Sequence, residues 1–479
     1  MKQDLNRRSF MKGLAVLAGV SAFSTLGSFS FGEEVRKPKP RKEGDKIRLA
    51  AIGGGGKGEV DIDGAVTAGA VVVALCDVDE SRCKAMREKY PSAKFYKDFR
   101  KMLTEMDAEI DAVTVSTPDH MHFPAAKMAI EMGKHVYVQK PLTHCIWEAQ
   151  ELRRLVEKHG VVSQMGNQGH ASDGVRQVRE WVQAGVIGDV TEAHIWTNRP
   201  VWPQGMKRPA GKDPVREGLD WNLWLGVAPE RPFQDKWPAG TKYHDKDIKD
   251  MIANQIYAPF NWRGYWDFGT GALGDMGCHI MDAAFWALDI KEAMIAGQDI
   301  EVEAESAGMT EDMGPDWEIV KYSIPARGKM PACKLTWYSG GKKPPRPKDL
   351  EEKAELSIGG NLMYGTKGTI YDTSDYCDSP RLIPYSLMKE RNPIKNVPKT
   401  IPRAPKNDPY CDWVEAIKKG DPHLPGSNIL DYASYLSEFV VLGNLAIRTK
   451  KKIVWNSKEC TVKNAPEAMQ YVKKTYRKF

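Results

Sequence analysis

Short apolar runs alternate with longer amphipathic stretches from residue 47 onward. The apolar runs cover residues 47–52, 71–76, 112–116, 135–138 and 161–164. The stretches 80–89, 124–132 and 147–159 lie between them and have a helical pattern of apolar positions. Short buried strands separated by helices are typical of a parallel sheet with helices on both faces. The pattern predicts a doubly wound α/β domain over residues 47–166.

The pattern changes at about residue 166, because strand-like runs now follow one another without helices between them. These runs cover residues 190–196, 300–304, 317–324, 334–338, 356–359 and 361–364. They predict a C-terminal α+β domain, residues 167–479, with an open and mainly antiparallel sheet. Predicted helices at 273–288, 408–418 and 431–449 either cover one face of this sheet or return to the first domain.

The N-terminus is interpreted as an export signal over residues 1–32. The segment from Asn6 to Lys12 holds paired arginines and an aromatic residue ahead of a mildly apolar run, residues 13–31. This arrangement is typical of a twin-arginine signal and predicts a periplasmic protein with no stable membrane insertion after processing. The alternative is a fortuitous arginine pair before a membrane anchor. Residues 33–46 are charged and contain proline, which predicts a flexible linker.

Composition narrows the class of protein. The chain has 479 residues, 42% of them hydrophobic and 28% charged, which suits two soluble domains and excludes a disulfide-stapled miniprotein. The net charge of +6 is dispersed, so we expect no nucleic-acid partner. The eight cysteines have no Cys-x-x-Cys or metal-ligand spacing, and we expect no metal site.

A glycine-rich loop follows the first predicted strand. Gly53, Gly55 and Gly58 fit the G-x-G-x-x-G spacing of dinucleotide-binding loops, in which the glycines allow a tight turn, approach of a pyrophosphate and close helix packing. Gly56 and Lys57 lie within the same loop, at the start of the next helix, where free N–H groups favour anions. A glycine-rich loop that binds nothing is the alternative.

The second predicted strand ends in Asp77, 24 residues after Gly53, where a carboxylate can bind the ribose hydroxyls of a dinucleotide. Strand, loop, helix and acid therefore occur in the order of a Rossmann domain. The acidic group favours NAD over NADP, whose extra phosphate it would repel, although Arg82 lies nearby in the sequence.

Polar segments follow the third and fourth apolar runs of this domain. Ligands of such sheets bind at the carboxyl ends of the strands, so we expect these segments to line the nicotinamide end of the cofactor site. The expected cofactor contacts in them are Thr117, Pro118, His120, His122 and Lys140.

Several motifs together resemble the Gfo/Idh/MocA family of glucose–fructose oxidoreductase, inositol dehydrogenase and rhizopine-catabolism proteins. Besides the glycine loop, the segment Gln139-Lys140-Pro141 matches the family's Glu-Lys-Pro motif, with Gln in place of Glu, and residues 274–282 match a second signature. Residues 365–370 and 442–455 resemble its C-terminal segments, so the resemblance runs from about residue 47 to 479. It implies NAD-dependent hydride transfer.

The resemblance also implies a catalytic set of Lys140, Asp275 and His279. Asp275 and His279 are four residues apart and share one face of a helix, so the carboxylate can orient the imidazole. His279 is then the general base, Asp275 its partner or a substrate hydrogen-bonding group, and Lys140 the stabiliser of an alkoxide-like oxygen. The alternatives are a helix cap with a core histidine or, less favoured, a metal site that includes Asp282.

Polar and aromatic residues of the second domain are candidates for substrate binding. Flat aromatic faces beside hydrogen-bond donors suit sugars and polyols. The candidates are Gln168, His170, Arg199, Trp262 and Arg263.

Three functions remain open at this stage. The first is an NAD-dependent oxidoreductase that acts on a hydroxyl of a sugar, glycoside or polyol and holds its cofactor tightly. The second is an NAD-dependent glycosidase that oxidises, eliminates, hydrates and reduces, with Tyr257, Tyr265 or His170 as a further base. The third is a sugar-binding protein without catalysis. Relatives of this kind are commonly dimers or tetramers, so we expect a homo-oligomer.

Overall fold

Two sheets of different strand pattern organise the computed structural model, which describes residues 35–241 and 255–479. Residues 36–479 belong to one compact unit. The predicted export signal, residues 1–32, lies outside the described residues. Within the described ranges, no helix combines the length and the apolar character that crossing a bilayer requires.

The first sheet has six parallel strands in the order β3-β2-β1-β4-β5-β6. Its strands are β1 Ile47–Ile52, β2 Ala70–Cys76, β3 Lys94–Tyr96, β4 Ala112–Val115, β5 His135–Val138 and β6 Ser163–Met165. Its helices are α1 Lys57–Thr67, α2 Lys84–Lys89, α3 Phe99–Glu105, α4 His122–Glu131 and α5 Ile146–His159. The predicted Rossmann sheet is confirmed. The sequence pattern missed β3, since this edge strand has three residues and none of them is buried.

The second sheet has nine strands in the order β13-β12-β11-β7-β10-β9-β8-β14-β15. Its strands are β7 Val190–Trp196, β8 Asp299–Ala307, β9 Trp317–Ile324, β10 Cys333–Tyr338, β11 Gly360–Gly365, β12 Gly368–Asp372, β13 Arg381–Ile383, β14 Ile453–Asn456 and β15 Thr461–Val462. The helices of this part are α6 Asp173–Gln183, α7 Trp221–Leu225, α8 Gly271–Ile280, α9 Asp282–Ala287, α10 Ile290–Ile295, α11 Ser386–Arg391, α12 Pro393–Asn396, α13 Pro409–Lys419, α14 Ser434–Thr449 and α15 Met469–Val472. The sheet is antiparallel except where β7 pairs with β10, so the predicted mainly antiparallel sheet is confirmed.

The strand predicted at residues 356–359 is wrong. This segment crosses the sheet without joining it: the Ser357 carbonyl accepts a hydrogen bond from the indole N–H of Trp196, and the Leu356 carbonyl accepts one from Lys343. Leu356 packs with Trp196 and Tyr338 in a cluster on this face of the sheet. Leu356 therefore covers the sheet instead of extending it, whereas Ile358 is 70% exposed.

Two C-terminal helices join the second part of the chain to the first sheet. α13 lies against α1, where a Cβ on Gly64 would come within 2.4 Å of the Tyr410 ring, and the buried Trp413 packs against Tyr137 of β5. α14 is buried along almost its whole length and packs against α5, α8 and β8. The helix predicted at 408–418 thus returns to the first domain.

The described part of the predicted linker is held against the first sheet's domain. Arg36 pairs with Asp107 at 3.1 Å, the Lys39 ammonium donates to the Ala108 carbonyl at 2.8 Å, and Arg41 lies 3.3 Å from Asp111. The segment has no helix or strand, as its composition predicts, but these contacts fix its path over residues 36–41.

Candidate active site

The glycine loop turns sharply between β1 and α1. Gly53 has a φ of +90°, and a Cβ there would lie 2.5 Å from the Ser116 carbonyl oxygen. A Cβ on Gly58 would lie 2.1 Å from the Gly53 carbonyl oxygen, so α1 can approach β1 only with glycine there. Gly56 precedes α1 and provides no side-chain cap. The Gly58 N–H donates to the Gly55 carbonyl at 3.1 Å, and no side chain caps the rest of the first turn, which can therefore face a pyrophosphate.

Asp77 lies at the end of β2, beside the glycine loop. Its two carboxylate oxygens accept the N–H groups of Gly54 at 2.8 Å and Asp79 at 3.0 Å. Burial raises the pKa of Asp77 to about 6, although these N–H bonds act in the opposite direction. A guanidinium nitrogen of Arg82 would lie 3.2 Å from a Cβ on Gly56, so the acid and the arginine flank the same loop.

Thr117, Pro118 and Lys140 follow the neighbouring parallel strands β4 and β5 and are partly exposed at the ends of these strands. This is the edge at which the glycine loop also lies, because β1 pairs with β4. The structure thus brings these three residues to the edge where the sequence predicted cofactor contacts.

The structure buries His120 and His122, two of the predicted cofactor contacts, so these two stay predictions. His120 is fully buried between Trp224 and Phe268, and its Nε2 lies 3.2 Å from the Trp224 carbonyl. His122 is 1% exposed, and its two ring nitrogens each lie 2.8 Å from a backbone carbonyl. Burial lowers the pKa of His120 to about 3 and that of His122 to about 4.

A three-residue ion cluster lies where β5 meets α8. One carboxylate oxygen of Asp275 accepts hydrogen bonds from the Lys140 ammonium and the Arg263 Nε, both at 2.9 Å. The Lys140 ammonium also donates to the Asp275 carbonyl at 2.9 Å. Burial alone would raise the pKa of Asp275, but Lys140 and Arg263 outweigh it and hold the pKa well below its usual range. Asp275 is therefore ionised and fixes both cations.

His279 lies one turn further along α8 and is 5% exposed. Burial lowers its pKa well below the usual range, the Lys140 charge adds to this, and Asp275 opposes it only in part. The imidazole is therefore neutral, and its Nδ1 is buried without a hydrogen-bond partner among the described residues. The expected hydrogen bond between Asp275 and His279 is absent from the described contacts, because the carboxylate binds the two cations instead. The Tyr376 ring lies edge-on to His279 at 5.0 Å between ring centroids.

A second buried carboxylate, Asp119, was missed by the sequence analysis. It is 3% exposed and accepts a hydrogen bond of 2.7 Å from the Thr270 hydroxyl, at the residue that precedes α8. Burial raises the pKa of Asp119 to about 7, while the Thr270 hydrogen bond and the Lys140 charge act against this. Asp119 can therefore exchange a proton near neutral pH.

The segment after β12 forms a further side of the site, and none of its residues was predicted from the sequence. Tyr376 is partly buried, and its hydroxyl has no hydrogen-bond partner among the described residues. Burial raises its pKa, and the charges of Asp375 and Asp275 raise it further. Asp375 faces Arg199 at 4.0 Å. A Cβ on Gly169 would lie 3.0 Å from the Tyr376 carbonyl oxygen, so the segment is tightly seated.

Local sequence patterns did not indicate these residues, since the segment from Thr373 to Pro380 has neither apolar periodicity nor a known motif. The only local signal is the turn chemistry of Asp372, whose carboxylate accepts the N–H groups of Ser374 and Ser379 at 2.8 and 3.0 Å.

The predicted substrate residues separate into accessible and buried groups. Arg199 and Arg263 keep 26% and 17% of their side chains exposed. The Arg263 guanidinium stacks on Trp262 at 4.4 Å from the ring centroid, and Gln168 is partly exposed. His170, in contrast, is 1% exposed, and its Nδ1 lies 2.9 Å from the Asp282 carboxylate, so its substrate contact stays a prediction.

The two tyrosines considered as additional bases are also buried. Tyr257 and Tyr265 are 2% and 0% exposed and belong to an aromatic cluster with Trp224 and Phe268. Among the described residues, no group of three or more His, Cys, Asp or Glu side chains is arranged to hold a metal ion.

Comparisons with known proteins follow the same two-part division. A family model described as the oxidoreductase family's NAD-binding Rossmann fold matches residues 47–167, and the model of its C-terminal alpha/beta domain matches residues 172–327. The two matches together span more than half of the chain. The protein belongs to the Gfo/Idh/MocA oxidoreductase family. NAD is the cofactor of this family's Rossmann domain, and the uncapped start of α1, Asp77 and the β4 and β5 ends fit it.

Curated relatives of this Gfo/Idh/MocA protein match only part of its length. The inositol 2-dehydrogenase/D-chiro-inositol 3-dehydrogenase of Lacticaseibacillus casei is 30% identical over 159 residues, which are 32% of this chain and 45% of the relative. The D-glucoside 3-dehydrogenase of Escherichia coli K12 is 32% identical over 119 residues, 25% of this chain and 33% of the relative. The matches thus span less than half of each of these relatives.

Solved structures resemble the chain over most of its length. Levoglucosan dehydrogenase in complex with NADH and levoglucosan has a TM-score of 0.53 at 15% identity, covering 86% of this chain and 99% of that one. The WlbA dehydrogenase of Bordetella pertussis in complex with NADH and UDP-GlcNAcA has a TM-score of 0.54 at 15% identity, with the same coverage. At these identities the likeness shows the shared fold alone.

Proposed function

We propose that this protein is an NAD-dependent oxidoreductase that acts on a secondary hydroxyl of a sugar, glycoside or polyol. The observation that carries the proposal is a neutral His279 beside the Lys140–Asp275–Arg263 cluster, at the strand ends of an NAD-binding domain. A base without a proton and a fixed cation are what removal of an alcohol proton requires.

Each residue of the cluster has a distinct role in this mechanism. His279 accepts the proton of the substrate hydroxyl, and the Lys140 ammonium stabilises the negative charge that develops on that oxygen. Asp275 holds Lys140 and Arg263 in place through its two 2.9 Å hydrogen bonds and remains ionised. Bound NAD supplies the hydride acceptor.

The substrate class rests on the relatives and on the side chains that face His279. The relatives named above are an inositol dehydrogenase and a glucoside dehydrogenase, and the related solved structures hold sugar ligands. In this chain Tyr376, Asp375 and Arg199 offer a hydroxyl, a carboxylate and a guanidinium next to the catalytic cluster. Groups of this kind bind neighbouring hydroxyls of a sugar ring.

A redox-neutral glycosidase is the second candidate, favoured by the presence of further acid–base groups. After oxidation of a sugar hydroxyl, the proton on the adjacent carbon becomes acidic, and a base must remove it as the aglycone leaves. Asp119, whose pKa is raised to about 7 by burial, and Tyr376 are the groups we assign to this step. Release of aglycone without accumulation of NADH would identify this reaction.

The first experiment is to purify the protein without added nucleotide, denature it and identify the released nucleotide by mass spectrometry. We expect close to one NAD(H) per chain. The loaded protein is then mixed with inositol, levoglucosan and alkyl glucosides, and the absorbance of NADH is followed. Protein that binds neither NAD nor NADH, while still binding one of these sugars, would support a sugar-binding protein instead.

Export by the twin-arginine route, and function as a homo-oligomer in the periplasm, are further parts of the proposal. That route carries folded proteins, so a cofactor inserted in the cytoplasm could cross with the protein. Because a periplasm lacks a ready pool of free NAD, the cofactor would be retained and recycled in each turnover. Replacing both Arg7 and Arg8 by lysine should leave the protein in the cytoplasmic fraction, whereas unchanged periplasmic recovery would overturn this part.

A further inference from the structure

Asp61, in the second turn of α1, is a fully buried carboxylate that binds side chains from four elements. One of its oxygens accepts the Tyr410 hydroxyl at 2.8 Å and lies 3.0 Å from the Lys57 ammonium. The other accepts the Ser116 hydroxyl at 2.6 Å. The Gln139 amide Nε2 lies 2.9 Å from both oxygens. The carboxylate is therefore saturated with donors.

These donors come from the elements that enclose the cofactor site. Lys57 begins α1, directly after the glycine loop, and Ser116 follows β4 beside Thr117. Gln139 follows β5 and immediately precedes Lys140. Contacts with the buried Asp61 carboxylate thus hold the glycine loop and the ends of β4 and β5 together.

The side chain at position 139 has little freedom to point elsewhere. A Cβ on Gly166 would lie within 2.5–2.8 Å of the Gln139 amide atoms, so that amide fills the space between Gly166 and Asp61. Gln139 is 5% exposed. The Glu of the family's motif, placed here, would bring two carboxylates into contact at about this distance, and like charges in a buried site strongly disfavour ionisation of both.

We propose that Asp61 and Gln139 form a carboxylate–amide pair that positions the glycine loop and Lys140 around the nicotinamide end of NAD. Gln139 is the donor that matches the buried Asp61 carboxylate. Asp61 and Gln139 are positioning residues, since they act on the cofactor through the loop and Lys140. The inference rests on the NAD-binding part of the proposed function.

The charged and titratable groups around the pair allow a pH test. Lys57 from α1 and Tyr410 from α13 contact Asp61, and Tyr137 of β5 stacks on Tyr410 with 5.0 Å between ring centroids. Burial raises the pKa of Tyr410 and Tyr137, so both stay protonated at neutral pH. In a Gln139→Glu variant, Lys57 is therefore the only cation among the described groups in direct contact with Asp61, and it faces two carboxylates.

The experiment compares NADH binding by wild-type protein and by Gln139→Glu, Asp61→Asn and the double variant, using fluorescence titration of the full chain. We expect Gln139→Glu to weaken NADH binding by about tenfold at pH 8, because two buried carboxylates repel and displace the loop. At lower pH one of them takes up a proton and donates to the other, so binding should recover. Asp61→Asn should be weak at both pH values, and the double variant should recover at both.

Gln150→Glu is the matched control. Gln150 of α5 donates to the buried Glu438 of α14 at 3.0 Å, which is the same amide–carboxylate chemistry outside the cofactor site. This variant should lose thermal stability as Gln139→Glu does, yet keep the wild-type affinity for NADH.

The results separate the inference from the proposed function. Wild-type protein that does not bind NADH would overturn the proposed function. Wild-type protein that binds NADH, together with single variants that bind it equally well, would overturn the carboxylate–amide pair. A folded double variant that stays as weak as Gln139→Glu at pH 8 would do the same.

Discussion

Two buried carboxylates approach Lys140 from different parts of the molecule. Asp275 lies on α8 and is 7% exposed, and Asp119 lies in the turn after β4 and is 3% exposed. Their burial is similar, but their pKa values move in opposite directions. The pKa of Asp275 falls well below its usual range because Lys140 and Arg263 outweigh burial, whereas burial raises that of Asp119 to about 7.

The difference shows that the partners, and not burial itself, decide the state of each acid. Asp275 has two cations at 2.9 Å, Lys140 and Arg263, and it holds them in place. Asp119 has a hydroxyl as its hydrogen-bonding partner and more distant charges. One carboxylate is therefore a fixed anion and the other a group that exchanges protons at neutral pH.

Replacing Lys140 should have the largest effect on turnover, because this cation lowers the pKa of both Asp275 and Asp119. We expect Lys140→Ala to lower turnover by about 10³-fold, because the developing charge on the substrate oxygen loses its nearest donor. NADH affinity, measured by fluorescence titration, should fall far less than turnover, although Lys140 also lies at the cofactor edge. Lys127→Ala, at an exposed lysine of α4, is the control. Turnover within tenfold of wild type would remove Lys140 from the chemistry.

Asp275→Asn should have the next largest effect. It leaves Lys140 and Arg263 buried without their shared anion, and we expect turnover to fall by about 10²-fold and the free energy of unfolding by about 3 kcal/mol. Steady-state rates and urea unfolding measure the two effects.

Asp111→Asn is the matched control for Asp275→Asn. Asp111 also binds two arginines, Arg48 at 2.7 Å and Arg41 at 3.3 Å, but it lies next to the start of β4, away from the cofactor edge. This variant should lose stability and keep its turnover. Equal loss of turnover in both variants would mean that Asp275 acts through stability alone.

The sequence predicted the cofactor side of this site better than the substrate side. The glycine loop, Asp77 and the strand ends are local features whose positions follow from strand order, and they lie where the pattern indicated. Lys140 and Asp275, 135 residues apart, were both identified through the resemblance to the family and are in contact.

The failures on the substrate side have physical reasons. The spacing of Asp275 and His279 predicted that they would pair, but a buried carboxylate binds cations in preference to a neutral imidazole, and both cations come from distant segments. Thr270 meets Asp119 across 151 positions, and Tyr376 reaches His279 through a loop without periodicity. Contacts between residues so far apart in the chain give no signal in the local pattern of apolar and polar positions.

Tyr376→Phe tests the substrate-facing segment near Asp275. The phenylalanine keeps the ring edge-on to His279 and removes only the unpartnered hydroxyl. We expect kcat/KM to fall by about tenfold, mainly through KM, with NADH affinity unchanged. Tyr385→Phe, at a tyrosine that is 52% exposed, is the control. An unchanged KM for every sugar that is turned over would exclude a substrate contact.

Asp119→Asn should have the smallest effect on turnover at the optimal pH. It tests whether Asp119, unlike Asp275, exchanges a proton near neutral pH. The asparagine side-chain oxygen can still accept the Thr270 hydroxyl but does not titrate. We expect the pH profile of turnover to lose an inflection near pH 7, while turnover on the plateau changes by less than about tenfold. A profile that keeps this inflection would show that another group produces it.

The same variant should change how stability depends on pH. Because the pKa of Asp119 is raised from 3.8 to about 7 in the folded protein, its contribution to stability is fully present below about pH 4 and is lost as pH rises through 7. Asp119→Asn removes this loss, so the variant should gain stability relative to wild type on going from pH 5 to pH 8, by at most about 3 kcal/mol. Urea unfolding at both pH values measures the difference. Equal differences at pH 5 and pH 8 would mean that Asp119 is ionised throughout, like Asp275, and that the contrast between the two carboxylates does not exist.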